Sequence, residues 1–147
     1  MIVVDSSVWI DFFNGKATPQ SLRLKNLMGV EPLSLGDLML CELLQGARSD
    51  QHARALEKEL RNFDIHPMLD DNLAVLAAKN YRGLRDVGIT VRKTVDLLIG
   101  TYCIQNGHDL LHSDRDFDPM REHLGLKVVK CSWSVHEPRV PYGRVRE

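Results

Sequence analysis

The stretch Val91–Asp118, VRKTVDLLIGTYCIQNGHDLLHSDRDFD, constrains the fold more than any other. Val95, Leu98, Ile99, Tyr102 and Cys103 fall at helical spacing and predict one apolar stripe on a helix that ends at Gly107. Asp96 lies in the first turn of that helix, beside Thr94 as its expected N-cap. A carboxylate there is favoured by the helix dipole and means little alone. After the turn at Asn106–Gly107, Leu110–Leu111 reads as a short buried strand, and it stops in SDRDFD. Acids just past an apolar strand are a different matter, because open parallel sheets place their ligand sites at the carboxyl ends of strands.

The start of the chain repeats the pattern. Ile2, Val3 and Val4 make a short apolar strand that ends at Asp5, and Ser6, Ser7 and an apolar helix (Val8, Trp9, Phe12, Phe13) follow. If this strand and Leu110–Leu111 are parallel neighbours, Asp5 and Asp114 emerge side by side. A third acid, Glu42, sits between Cys41 and Leu43 on the largely apolar helix Asp37–Gln45. An unpaired carboxylate is costly to bury on such a helix, so a compensating partner is expected.

Between these pieces the same alternation continues. Thr18–Pro19 opens a helix to about Met28, and Leu33–Leu35 is a second strand. Ser49–Asp50 starts an amphipathic helix with Ala53, Leu56, Leu60 and Phe63 on one face, and Ile65 marks a brief third strand ended by Pro67. Asp70 or Asp71 caps a helix with Leu73, Leu76, Ala77 and Tyr81 inward, Asp118–Pro119 starts a short one, and Lys127–Cys131 is the last strand. Short apolar strands alternating with helices indicate parallel βαβ units, hence an α/β fold.

At 147 residues the chain is one domain with room for a single core. No apolar run reaches membrane-spanning length, and Asp5 interrupts a start that lacks the basic region of a signal peptide, so a cytoplasmic location is expected. Cys41, Cys103 and Cys131 show no metal spacing and read as reduced core thiols. The net charge of −1 gives no support to phosphate binding, since proteins that neutralise phosphates are generally basic. With several acids gathered at one place, however, the remaining surface is left somewhat basic, and a bound divalent ion would reverse the local sign.

VVDSSVWIDFF, LCELLQG, TVDLLIGTYCIQNG and LLHSDRDF, in that order and at those separations, together resemble the PIN-domain nucleases. The nearest likeness is to the VapC-type branch, the toxins of bacterial toxin–antitoxin pairs. The resemblance covers residues 1–131 and leaves 132–147 as a C-terminal tail outside the family core, disordered or otherwise. It implies a three-layer α/β/α arrangement with a central parallel sheet of strand order 3-2-1-4-5. It further implies metal-binding acids at Asp5, Glu42, Asp96 and Asp114, a further acid at Asp116, and a supporting hydroxyl at Ser7.

What the resemblance implies for chemistry is hydrolysis of RNA with Mg²⁺, or Mn²⁺, leaving a 5′-phosphate and a 3′-hydroxyl. Hard oxygen ligands suit such an ion, which lowers the pKa of water, orients the scissile phosphate and offsets transition-state charge. On this reading Asp5, Asp96 and Asp114 are direct or water-mediated ligands, and Glu42 is a ligand or the base that orients water. Asp116 serves a second ion, and Ser7 and Thr94 support the carboxylates or metal waters. Arg92, Lys93 and Arg115 flank the cluster as contacts for substrate phosphates. A homodimer and a VapB-type antitoxin, whose C-terminal segment enters the active groove, are the implied protein partners; no membrane is.

Each residue also has a plainer reading. Asp5 could cap the first helix, Asp96 could be a dipole-favoured first-turn acid, and Asp114 and Asp116 could be solvated turn residues. Asp118, before Pro119, reads as a cap, and the six histidines make no zinc pattern. A haloacid-dehalogenase-like phosphatase would need a second Asp where Ser7 stands, and a receiver domain would need paired acids where Asp5 is followed by Ser6. No nucleophile elbow or glycine-rich phosphate loop appears. The remaining alternatives are a non-toxin PIN nuclease of RNA processing and a catalytically silent PIN-like binding module.

Overall fold

Four short parallel strands form the centre of the computed structural model, which describes residues 1–131. In chain order the elements are β1 (Ile2–Val4), α1 (Ser6–Phe13), α2 (Pro19–Leu27), β2 (Leu33–Gly36), α3 (Asp37–Gln45) and α4 (Asp50–Leu60). Then come β3 (Ile65–His66), α5 (Asp71–Asp86), α6 (Thr94–Asn106), β4 (Asp109–Leu111), a 3-10 turn (Arg115–Phe117) and α7 (Asp118–Leu124). The expectation for the tail 132–147 lies outside the described residues. No helix among those described is long and apolar enough to cross a membrane.

The sheet runs β3-β2-β1-β4, with Ile2 opposite Leu33 and Val3 and Val4 opposite Leu110 and Leu111. Val3, Val4, Leu35, Leu110 and Leu111 are wholly buried, as strands covered on both faces must be. Two groups of helices flank them. Helix α1 packs on α2 and α3, and α3 on α4; α6 packs on α5 and β4, and α5 on α7. Trp9 centres the first group, with the Phe63 ring edge-on at 4.9 Å.

The expected fifth strand, Lys127–Cys131, is present only as a parallel bridge between Leu110 and Val128. It lies on the far side of β4, where the order 3-2-1-4-5 puts it. Leu110 donates to the Lys127 carbonyl and accepts from Val129 N–H, both at 2.9 Å. Exposed Lys127 and Lys130 and half-buried Val128 and Val129 bury too little apolar surface to extend this edge ladder.

Helix α6 departs from the single stripe expected of it. Its buried residues are Asp96, Leu97, Ile99, Gly100, Thr101 and Cys103, while Val95, Leu98 and Tyr102 are half-buried. The helix lies between β4 and α5, so apolar residues serve more than one face and one spacing cannot select the inner one. Gly107 ends it in the left-handed conformation (φ 67°), where glycine carries no Cβ penalty, and His108 N–H returns to the Cys103 carbonyl at 2.9 Å. Thr94 is not the N-cap: the helix begins at Thr94 after Lys93, with no side-chain cap. Asp118 is likewise the first residue of α7 rather than its cap. Cys41 is exposed rather than in the core, because the inner side of α3 is defined by Met39 and Leu43, four residues apart.

Gly36 closes β2 and precedes α3, the helix that carries Glu42. A Cβ at Gly36 would collide with the Met68 side chain and come within 3.1 Å of Met39 Sδ. Met68 is 4% exposed and Met39 fully buried, so neither has free space to retreat into. Gly36→Ala is expected to cost about 1–3 kcal/mol of overpacking, lowering the thermal midpoint by roughly 3–10 °C. An unchanged melt would show that Met68 repacks freely.

Candidate active site

The carboxyl ends of β1 and β4 are tied together by Asp5 and Ser7. Asp5 N–H still donates to the Leu111 carbonyl at 2.9 Å, so the Asp5 side chain leaves the sheet right beside β4. Its Oδ2 accepts from Ser7 N–H at 3.0 Å and from Ser7 Oγ at 2.6 Å, which makes Asp5 the N-cap of α1. Ser7 Oγ in turn accepts from Ser113 N–H at 3.2 Å. The other oxygen, Asp5 Oδ1, is buried without a hydrogen-bond partner among the described residues. Capping therefore accounts for one oxygen of Asp5 and leaves the second unexplained.

Asp96 is a second buried acid whose only partner at Oδ2, among the described residues, is the Lys93 ammonium, 3.3 Å away. It is 3% exposed in the first turn of α6, and its Oδ2 lacks a well-formed hydrogen bond. Burial, and next the charge of Asp5, push its carboxyl up to about 6. Burial likewise raises Asp5 and Glu42 above the ordinary carboxylate range. Asp5 and Asp114 both act to raise Glu42 and Asp96, so these acids form one electrostatic unit. Asp114 goes the other way: burial alone would raise it, but the Asp116 N–H (2.9 Å from its Oδ1) and the Lys93 ammonium hold it low.

Glu42 has the compensating partner its helix demanded. Ser6 Oγ donates to Glu42 Oε1 at 3.0 Å, across a sequence separation that no local pattern reveals. Ser6 was not among the expected site residues. The only signal was that Glu42 needed a donor. His112 was missed as well. Its Nδ1 accepts the Asp114 N–H at 3.1 Å, and its ring packs 4.9 Å from Phe117, which fixes the turn that presents Asp114.

Asp96, Asp114 and Asp116 each offer an oxygen, all within 4.8 Å of one another. Lys93 Nζ stands at this group, 2.9 Å from Asp114 Oδ2, 3.3 Å from Asp96 Oδ2 and 3.8 Å from Asp116 Oδ2. Arg92 Nη2 pairs with Asp116 Oδ1 at 2.8 Å, and Arg92, Lys93, Asp114 and Asp116 line an open hollow of about 320 Å³. Arg115 is exposed on the 3-10 turn. Thr94 is exposed too, and lines an apolar hollow with Leu97, Leu98 and residues of α5 rather than supporting the carboxylates. The donor set is all hard oxygen; Asp96 Oδ2 is buried with only its 3.3 Å ion pair to Lys93, and Asp5, which acts on Asp96 through its charge, keeps a buried oxygen with no hydrogen-bond partner among the described residues. A divalent cation of the Mg²⁺ kind fits that description.

Comparisons with known proteins agree with this architecture. The family model described as the PIN domain matches residues 2–122. The protein called VapC ribonuclease Mb1587, from Mycobacterium bovis, is 30% identical over 134 residues, covering 88% of this chain and 98% of that one. Ribonuclease VapC11 of Mycobacterium tuberculosis matches to the same extent. Among solved structures, VapBC2 from Rickettsia felis bound to a promoter DNA fragment superposes with a TM-score of 0.71, over 90% of this chain and 100% of that one, at 16% identity. FitAcB from Neisseria gonorrhoeae gives 0.68 over 88% and 97%, also at 16% identity. At such identity the two structures speak for the fold alone.

Proposed function

The chain belongs to the PIN domain family, and from that premise we propose that it is a divalent-metal-dependent endoribonuclease, the toxin of a VapBC-type toxin–antitoxin pair. RNA as substrate is supported by the relatives called VapC ribonuclease, and an antitoxin partner by the VapBC complexes that share its fold. A homodimer acting in the cytoplasm completes the reading. The observation that carries it is the convergence of Asp96, Asp114 and Asp116, with an oxygen of Asp5 buried and without a hydrogen-bond partner among the described residues.

Asp5, Asp96, Asp114 and Asp116 would hold Mg²⁺ or Mn²⁺. When bound, that ion supplies Lewis-acid chemistry, making water more acidic and offsetting charge at the reacting phosphate. The protein supplies position and proton transfer. Ser7 holds one oxygen of Asp5 and leaves the other without a hydrogen bond, and His112 and the Asp116 N–H fix Asp114. Glu42 lies outside the close trio with Oε1 held by Ser6, and its Oε2 would accept the proton of the attacking water. Its raised pKa brings it nearer to the operating pH, where a general base is more effective. Arg92 and Arg115 stand at the rim, where cations draw in substrate phosphates.

The purified protein is expected to cut single-stranded RNA with Mg²⁺ or Mn²⁺, to leave 5′-phosphate ends, and to lose activity in EDTA. Equal cleavage in chelator would overturn the metal assignment. Expressed alone it should arrest growth, and the adjacent small gene should relieve the arrest. Normal growth with abundant soluble protein would remove the toxin role while leaving the nuclease.

A further inference from the structure

Lys93 occupies a position that its helix does not favour. It is the N-cap of α6, where the helix dipole is positive, and it provides no capping hydrogen bond. Ser, Thr, Asp or Asn would suit that position better. What holds Lys93 there is the acid cluster: its ammonium lies within 4 Å of Asp96, Asp114 and Asp116, the same three residues whose oxygens converge. The side chain is about half exposed (54%), so its stem can swing away without opening the core.

We propose that Lys93 is a built-in counter-ion that fills the cluster when no divalent cation is bound and is exchanged out of it when one enters. An ammonium and a divalent cation cannot both lie against the same oxygens, since like charges at that separation repel strongly. Before metal binding, Lys93 offsets repulsion among acids of which Asp96 is wholly buried. The same pairing makes the site a weaker ligand for metal, because the ion must first displace the ammonium. Arg92 is paired with Oδ1 of Asp116 alone among the described residues and is 77% exposed, so it stays at the rim. Once released, Lys93 hangs beside the cluster, where a substrate phosphate can take the place of the carboxylates as its partner.

This exchange rests on the metal reading of the same acids, and the test separates the two. Lys93→Met and Lys93→Gln, stripped with EDTA and titrated calorimetrically with Mn²⁺ as full chains, should each bind at least tenfold more tightly than wild type. Both should melt lower than wild type without metal and gain more from it. Equal or weaker Mn²⁺ binding in both variants overturns the exchange while leaving the metal site intact. Folded wild type and variants that all fail to bind Mn²⁺ overturn the metal reading and the exchange with it. A second readout needs no substitution: the ¹³C resonance of the Lys93 ε-carbon in wild type should move on adding Mg²⁺ to the position of a solvated lysine. A signal unmoved at saturating Mg²⁺ also overturns the exchange.

Discussion

Asp5→Asn is expected to abolish RNA cleavage while leaving the fold in place. Asparagine keeps an oxygen to accept the Ser7 N–H and hydroxyl, so the cap of α1 survives. What it loses is the negative charge on Asp5 Oδ1, the buried oxygen that has no hydrogen-bond partner among the described residues. Changes to outer partners of metal ligands typically cost roughly 10–100-fold in affinity or activity, and loss of a ligand itself should exceed that. Asp5→Ala should lose cleavage equally but also lose the cap, making it about 1 kcal/mol less stable than Asp5→Asn. Cleavage assays and melts of the two variants together separate the roles. Wild-type cleavage by Asp5→Asn would reduce Asp5 to a helix cap and remove it from the site.

The double role of Asp5 shows why one part of the site was legible in the sequence and another was not. Strand ends and acids are local: Ile2–Asp5 and Leu110–Asp114 announce themselves by an apolar run and its termination, and parallel pairing of β1 with β4 then brings both acids to the same end of the sheet, where their charges act on each other. The bounds of α3 were legible for the same reason, since Asp37 and Gly46 flank a continuous helical run. Long-range hydrogen bonds leave no such trace. That Glu42 required a donor followed from its apolar helix, but the choice of Ser6 over Ser7 depends on which hydroxyl faces α3 when α1 packs against it. Lys93 read as a residue of the rim because a long cationic side chain is usually solvated. Only the assembled acids show that its ammonium is drawn to their centre. Helix α6 was legible to its end at Gly107, but its inner face was not, for a third reason: covered on several sides, it carries no single stripe, and its buried polar Thr101 is satisfied by Asn80 of α5 at 3.1 Å.

The acid cluster should also make the metal-free protein less stable as the pH rises, and Asp96→Asn isolates the effect. Burial and Asp5 raise the Asp96 carboxyl from 3.8 to about 6, so the folded state holds that proton more tightly than the unfolded chain does. The sign follows: this stabilisation is fully present below pH 4, declines through about 6, and is absent at 7. About two pKa units correspond to roughly 3 kcal/mol as an upper value. Other shifted groups add their own slopes. Asp5 and Glu42 are raised and act in the same direction, whereas His112, lowered by burial, loses stability as the pH falls, and so does Asp114. A wild-type curve alone therefore mixes opposing slopes. Asparagine mimics the protonated acid, so in EDTA the variant and wild type should be nearly equal at pH 4. The variant should gain through pH 6 and be more stable by about 2–3 kcal/mol at pH 7.5. Adding Mg²⁺ should close most of that gap at pH 7.5, since a cation a hundredfold above its dissociation constant stabilises wild type by about 2.7 kcal/mol and the variant by much less. The measurement is a set of melts of both proteins at several pH values, with chelator and with Mg²⁺. A variant less stable than wild type at every pH, yet equally stabilised by Mg²⁺, would make Asp96 a dipole-favoured first-turn acid and exclude it from the metal site.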